Sequence, residues 1–293
     1  MRSPLKVATV MPNVKPRGRH DGLVKPSTFL DVLAAGRQPI GHMLLEFHTR
    51  GIAKLLESAQ LDFVVLDMEH GNLTIEGVAD LVAWFKATPV TPFVRVPAHD
   101  AHFIGRALDT GALGVMIPGV SSGTEAERVV RAAKYPPLGS RGVLLAGSNT
   151  DFQAVNAAEF MHAANTRTTV LCQIESVEGV EHAEAIAGTP GVDVLFVGPG
   201  DLAAALGAPG DFTHPAFEAA MLTVAGAARK HGKAAGVFAS TLEQAQRWTG
   251  MGFRVLAYAT DFMVYQAALR AAVQELRSVD TSEEQVSGHV TGL

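Results

Sequence analysis

The segment TVLCQIESVEGVEHAEAIAGTPGVDVLFVGPGD, residues 169–201, contains the unit from which the rest of the chain is built. It opens with an apolar run, Thr169–Glu175, and closes with a second, Val192–Val197. Each is mostly apolar on both faces, the pattern of parallel strands covered by helices on either side. Between them Ser176–Ala187 has helical spacing and stops before Gly188, so the unit reads strand–helix–strand. Both strands end in polar residues: Gln173, Glu175 and Ser176 close the first, Gly198-Pro199-Gly200-Asp201 the second.

The same unit recurs in both directions. Further strands are predicted at Ile40–Glu46, Phe63–Asp67, Pro92–Val96, Gly114–Pro118, Ala234–Ala239 and Arg254–Ala259. Helices are predicted over Thr49–Ser58, Thr74–Ala87 with Thr74 as N-cap, and Asp100–Thr110 with Asp100 as cap and Gly111 beyond its end. Thr124–Lys134 is stopped by the prolines that follow Tyr135. Pro215–His231, Thr241–Met251 and Asp261–Arg277 follow, and Ala154–Ala164 adds a helix between the fourth and fifth strands. Eight strand–helix alternations with right-handed crossovers close most simply into a (β/α)8 TIM barrel. An open doubly wound sheet is the alternative, but no GxGxxG follows the first strand, so a dinucleotide site has little support.

The chain has 293 residues, enough for one barrel at 28–279, flanked by an extended basic arm, 1–27, and an acidic tail, 280–293. Apolar residues make up 47% and charged residues 18%, which suits a large core and not a disordered chain. A net charge of −5 argues against a nucleic-acid partner. No charge-free apolar run reaches the roughly 18 residues of a membrane span, and residues 1–27 lack the apolar core of a secretory signal. The single cysteine, Cys172, precludes an intrachain disulfide and a cysteine-based zinc site, and fits a cytoplasmic location.

In such a barrel, chemistry belongs at the C-terminal ends of the strands. There stand Asp67-Met68-Glu69-His70-Gly71, Arg95, Pro118-Gly119, Gln173, Glu175 and Asp201. Glu175 and Asp201, on adjacent strands, repel each other, and a divalent cation bound through oxygen, such as Mg²⁺ or Mn²⁺, relieves that. Read separately, the same two residues are helix N-caps. Arg95 is a bidentate clamp for a carboxylate or enolate, or a strand-end ion pair. His70 is a general base or a surface histidine. Gln173 could donate to a substrate oxygen, and Gly198-Pro199-Gly200 lets backbone amides approach an anion. By position alone Asp109 is a surface acid, and His99 and His102 form a solvated helix face. No lysine ends an interior strand, so imine catalysis is disfavoured.

Five motifs in order now carry a resemblance: Asp67-Met68-Glu69-His70-Gly71, Arg95-Val96-Pro97, Tyr135-Pro136-Pro137-Leu138-Gly139-Ser140-Arg141-Gly142, Gln173-Ile174-Glu175-Ser176 and Gly198-Pro199-Gly200-Asp201-Leu202. Over about residues 29–277 the chain resembles the HpcH/HpaI aldolases, metal-dependent class II pyruvate aldolases. The resemblance implies a (β/α)8 barrel with Glu175 and Asp201 as ligands of Mg²⁺, Mn²⁺ or Co²⁺. It implies His70 as the catalytic histidine with Asp109 as its acidic partner, and Arg95 on the keto group or enolate of the substrate. Gln173 and the amides of Gly200 and Asp201 would contact the substrate, and Glu69 would orient water at the metal. A homo-oligomer is implied as well, a hexamer built as a trimer of dimers with the last helix exchanged between subunits.

The implied reaction cleaves a 4-hydroxy-2-oxo acid into an aldehyde and a pyruvate enolate, with the hydroxyl proton relayed through water to His70. On this reading Arg95→Ala abolishes most cleavage and leaves the fold intact. The loop Val143–Asp151 lacks the arginine-containing pattern of some relatives and is expected at the aldehyde end of the site. The alternatives are an acyl-CoA lyase of the citrate-lyase-β type and a non-catalytic barrel.

Overall fold

The computed structural model describes residues 24–279. Eight parallel strands, β1 (Ile40–Leu44), β2 (Phe63–Asp67), β3 (Thr91–Arg95), β4 (Gly114–Ile117), β5 (Thr169–Ile174), β6 (Val194–Val197), β7 (Ala234–Ala239) and β8 (Val255–Thr260), pair in chain order. Pairing of β8 with β1 closes the barrel, so the fold is a (β/α)8 TIM barrel and the open sheet is excluded. Around and between the strands run α1 (Thr28–Ala34), α2 (Ile52–Ser58), α3 (Ile75–Phe85), α4 (Ala101–Asp109), α5 (Gly123–Ala133) and α6 (Ala157–Arg167). α7 (Val177–Glu181), α8 (Ala183–Gly188), α9 (Pro199–Ala205), α10 (Pro215–Lys230), α11 (Leu242–Gly250) and α12 (Asp261–Ser278) complete the set.

Local chemistry accounts for most boundaries. The side chains of Thr74 and Asp100 accept from the amides of Gly77 and His102, satisfying donors that a helix start leaves free. The helix expected over Ser176–Ala187 is broken at His182 into α7 and α8. The Gly198-Pro199-Gly200-Asp201 stretch is not only a turn: Pro199 begins α9, where its missing N–H is no loss, and Asp201 lies in the first turn.

Side-chain alternation places the site. Phe63, Val65, Phe93, Leu171, Val194 and Phe196 point into the barrel, while Val64, Leu66, Val94 and Cys172 face the helices. The same parity carries Asp67, Arg95 and Gln173 to the inner face at the C-terminal rim, with Asp67 opposite Arg95 in register. At the other end Phe29 of α1 plugs the barrel, packing edge-on against Phe63 and Phe93 at 5.3 and 4.9 Å. Phe29 thereby fills the lower end of the barrel axis.

Residues 24–27, expected in the arm, dock on this lower end. Ser27 caps α1, and Lys25 Nζ donates to the Val90 carbonyl at 2.6 Å, its pKa pushed down to about 8 by burial. The rest of the arm and the tail 280–293 lie outside the described residues. Among the described residues no helix is long and apolar enough to cross a membrane.

Candidate active site

A cavity of about 270 Å³ opens at the C-terminal mouth. Its lining is part polar, with His70, Arg95, Gln173 and Asp201, and part apolar, with Met43, Leu45, Met116, Phe196, Phe238 and Met263. Arg95 is its cationic centre. Its Nε and Nη2 donate to the two carboxylate oxygens of Asp67 at 2.8 and 2.5 Å, and Nη1 lies 3.0 Å from Glu69 Oε2. Burial opposes the Arg95 charge, yet Asp67, Glu69 and Glu175 together hold its pKa above the usual arginine range. Asp67 has no exposed surface; besides this bidentate pair, its Oδ1 accepts from the Glu69 N–H at 2.9 Å.

Glu175 follows β5 and is held from two sides. Gly119 N–H donates to Oε1 at 2.5 Å, and Gln173 Nε2 donates to Oε2. A carboxylate oxygen only accepts, so the Gln173 amide nitrogen must face Glu175. That leaves Gln173 Oε1, a buried acceptor with no hydrogen-bond partner among the described residues, as the free atom. The atom expected to donate to substrate is therefore engaged by Glu175, and Oε1 is free to accept a hydrogen bond. Burial raises the Glu175 pKa, and Glu69 and Asp201 raise it further. The Glu69 carboxyl is raised as well, first by burial, with Asp67 and Asp201 adding to the effect.

Gly198 makes room for the Gln173–Glu175 pair. A Cβ there would come within 2.7 Å of Glu175 Oε2 and 2.8 Å of Gln173 Nε2. Gly198→Ala is expected to push both side chains aside and lower kcat by roughly 10–100-fold, with the melting temperature changed by only a few degrees. Steady-state kinetics beside thermal melting check this; unchanged kcat would mean that the pair is not needed as arranged.

With the barrel, its rim and the ordered motifs in place, the comparison with known proteins is decisive. The HpcH/HpaI aldolase/citrate lyase family model matches residues 43–268. The chain belongs to this family. It is 39% identical to a hydroxypyruvate/pyruvate aldolase of Paraburkholderia phytofirmans over 251 residues, covering 82% of this chain and 94% of that one. It is 36% identical to a 5-keto-4-deoxy-D-glucarate aldolase of Shigella dysenteriae over 245 residues, covering 84% and 94%. The crystal structure of an HpcH/HpaI aldolase from Desulfitobacterium hafniense superposes with a TM-score of 0.82 at 33% identity, covering 86% and 97%. The chain is an aldolase-family enzyme, a carbon–carbon lyase.

The structure brings together His70, Arg95, Gln173, Glu175, Gly200, Asp201 and Glu69, as the motifs implied. It does not bring Asp109 to them within one chain. Asp109 ends α4, where the chain returns to the start of β4, on the face opposite the mouth. There its Oδ1 accepts from Arg141 Nη2 at 2.7 Å. The acid beside His70 in this chain is Glu69, its Oε2 3.8 Å from Nε2. The Val143–Asp151 loop is also on the far face of its own barrel: Lys86, just after α3, holds both the Ser148 carbonyl and the Asp151 carboxylate. It follows α5 and so cannot reach its own aldehyde end.

Two residues were undervalued by the sequence reading. Asp67 ends an apolar strand, where an acid is costly unless partnered, and that cost was the available signal. His99 is not on a solvated face: it is part-buried, with Nε2 2.5 Å from the Pro118 carbonyl oxygen.

Proposed function

We propose that this enzyme cleaves a 4-hydroxy-2-oxo acid to an aldehyde and pyruvate, or a close 2-oxo acid, with Mg²⁺, Mn²⁺ or Co²⁺ held by Glu175 and Asp201. The observation that carries the reading is the gathering of the Asp67, Glu69, Glu175 and Asp201 carboxylates around Arg95 at the mouth of a small cavity. Arg95 alone does not balance that charge; burial raises the Glu175 pKa, and the nearby Glu69 and Asp201 carboxylates add to the effect. An oxygen-only donor set fits a hard divalent cation. Two carboxylates fill only part of such an ion's shell, and water and substrate would supply the rest. Such a cation would draw electrons from the keto group and neutralise the developing enolate.

The protein's own groups divide the remaining work. The Gly200 and Asp201 amides, in the first turn of α9, are available to the substrate carboxylate. Arg95 has N–H groups beyond those on Asp67 and Glu69 to direct at the C2 oxygen. His70 takes the 4-hydroxyl proton, and Glu69 steadies the resulting imidazolium. The C3–C4 bond then breaks, the aldehyde leaves, and the electron pair reaches the C2 oxygen as an enolate beside Arg95. Protonation at C3 gives the 2-oxo acid. Gln173 Oε1 accepts from a substrate hydroxyl.

The same proposal extends to assembly as a homo-oligomer, a hexamer made as a trimer of dimers, with α12 exchanged. Val264, Tyr265, Leu269 and Leu276 of α12 are exposed apolar side chains, which supports a partner surface. A cytoplasmic location rests on the lone, buried Cys172.

The test is pyruvate release from a panel of 4-hydroxy-2-oxo acids. Turnover is expected to vanish with EDTA and return with added Mn²⁺. Turnover indifferent to EDTA, or no pyruvate from any member, would overturn the proposal.

A further inference from the structure

His99 sits in the loop between β3 and α4, shortly after Arg95 and on the same face of the barrel. Its Nε2 is 2.5 Å from the Pro118 carbonyl oxygen. A carbonyl only accepts, so this nitrogen carries the proton and donates. The N–H of the next residue, Gly119, donates to Glu175 Oε1, also at 2.5 Å. Both bonds are made by one peptide group, and a peptide is planar, so holding its carbonyl fixes the direction of its N–H. Gly119 has φ +60, a region where glycine moves freely, so nothing intrinsic to the residue holds this peptide in place. A Cβ built on Gly119 would lie 3.6 Å from Glu175 Oε1 and 3.9 Å from His99 Nε2, so the three groups meet at one point.

Glu125 of α5 lies within electrostatic reach of the imidazole, and the amide and hydroxyl of Ser121 hold that carboxylate at 2.9 and 3.1 Å. A line of hydrogen bonds thus runs from His99 through the Pro118–Gly119 peptide to the Glu175 carboxylate. Gln173 secures the other Glu175 oxygen.

We propose that His99 is a positioning residue for Glu175, aiming its carboxylate at the cation by fixing the Pro118–Gly119 peptide. The inference rests on Glu175 as a cation ligand. Groups that orient a ligand from behind typically change metal affinity by 10–100-fold. The test is calorimetry of Mn²⁺ alone with the EDTA-treated full chain. His99→Ala, and His99→Phe, which keeps a ring but removes the donor, are each expected to weaken Mn²⁺ binding by about 10-fold or more. His99→Gln places an amide N–H where the imidazole Nε2 stands and should recover affinity to within about threefold of wild type. Thermal melting of the metal-free variants should match wild type, because the effect is on aim and not on folding. Wild-type affinity in His99→Phe, or a Gln variant as weak as the Phe variant, overturns the inference. Glu175→Gln separates the two levels: if it too binds Mn²⁺ normally, the ligand assignment has failed. If only Glu175→Gln loses binding, the ligand stands and His99 does not position it.

Discussion

Arg95→Ala slows pyruvate release by about 10²–10³-fold, the usual loss when one fixed donor to a developing oxyanion is removed. The buried geometry adds a second effect that the sequence reading did not foresee. Asp67 has no exposed surface and receives two charge-assisted bonds from Arg95. Leaving it unpaired costs about 3–5 kcal/mol, which for a domain of this size lowers the melting temperature by roughly 5–15 °C. The earlier expectation of an intact fold therefore changes to one of a weakened fold. The two effects are separable. In Arg95→Ala, a further Asp67→Asn change removes the stranded charge and should recover most of the lost melting temperature, while kcat stays low. If the single variant kept kcat within about threefold of wild type, Arg95 would not be the enolate's partner. If the double variant recovered turnover with stability, the loss would have been structural.

Glu175→Ala should weaken Mn²⁺ binding by more than roughly 100-fold, since even groups behind a ligand are worth 10–100-fold. It removes one of two carboxylates and frees the Gly119 amide and the Gln173 side chain that hold it. Calorimetry of the EDTA-treated protein reads the affinity directly, and pyruvate release should fall with it. Asp201→Ala is the companion: its carboxylate, in the first turn of α9, is exposed at the mouth, so its removal should affect binding with little change in melting. Unchanged Mn²⁺ affinity in both would remove the cation from this rim.

Much of the rim was legible because strands alternate. Once Phe63 and Phe93 face the barrel axis, Asp67 and Arg95 must do so as well, and Gln173 follows Leu171 by the same count. Motifs at strand exits therefore pointed to side chains that the barrel carries to one rim. Inference across elements was less direct. The resemblance paired Asp109 with His70, but within one chain the helix after Arg95 carries Asp109 to the opposite end of the barrel. His99 was judged by its spacing from His102 on a helix, a test blind to the carbonyl of the next strand's loop.

The amino-acid order alone determined that eight apolar segments alternate with amphipathic ones, because periodicity and caps are local properties of the chain. It determined as well which residues end those segments. Closure of β8 on β1, the Asp67–Arg95 pairing and the side on which Asp109 falls depend on contacts between distant segments. Those contacts are set by packing and by the need to partner each buried charge, and they exist only once the barrel has formed.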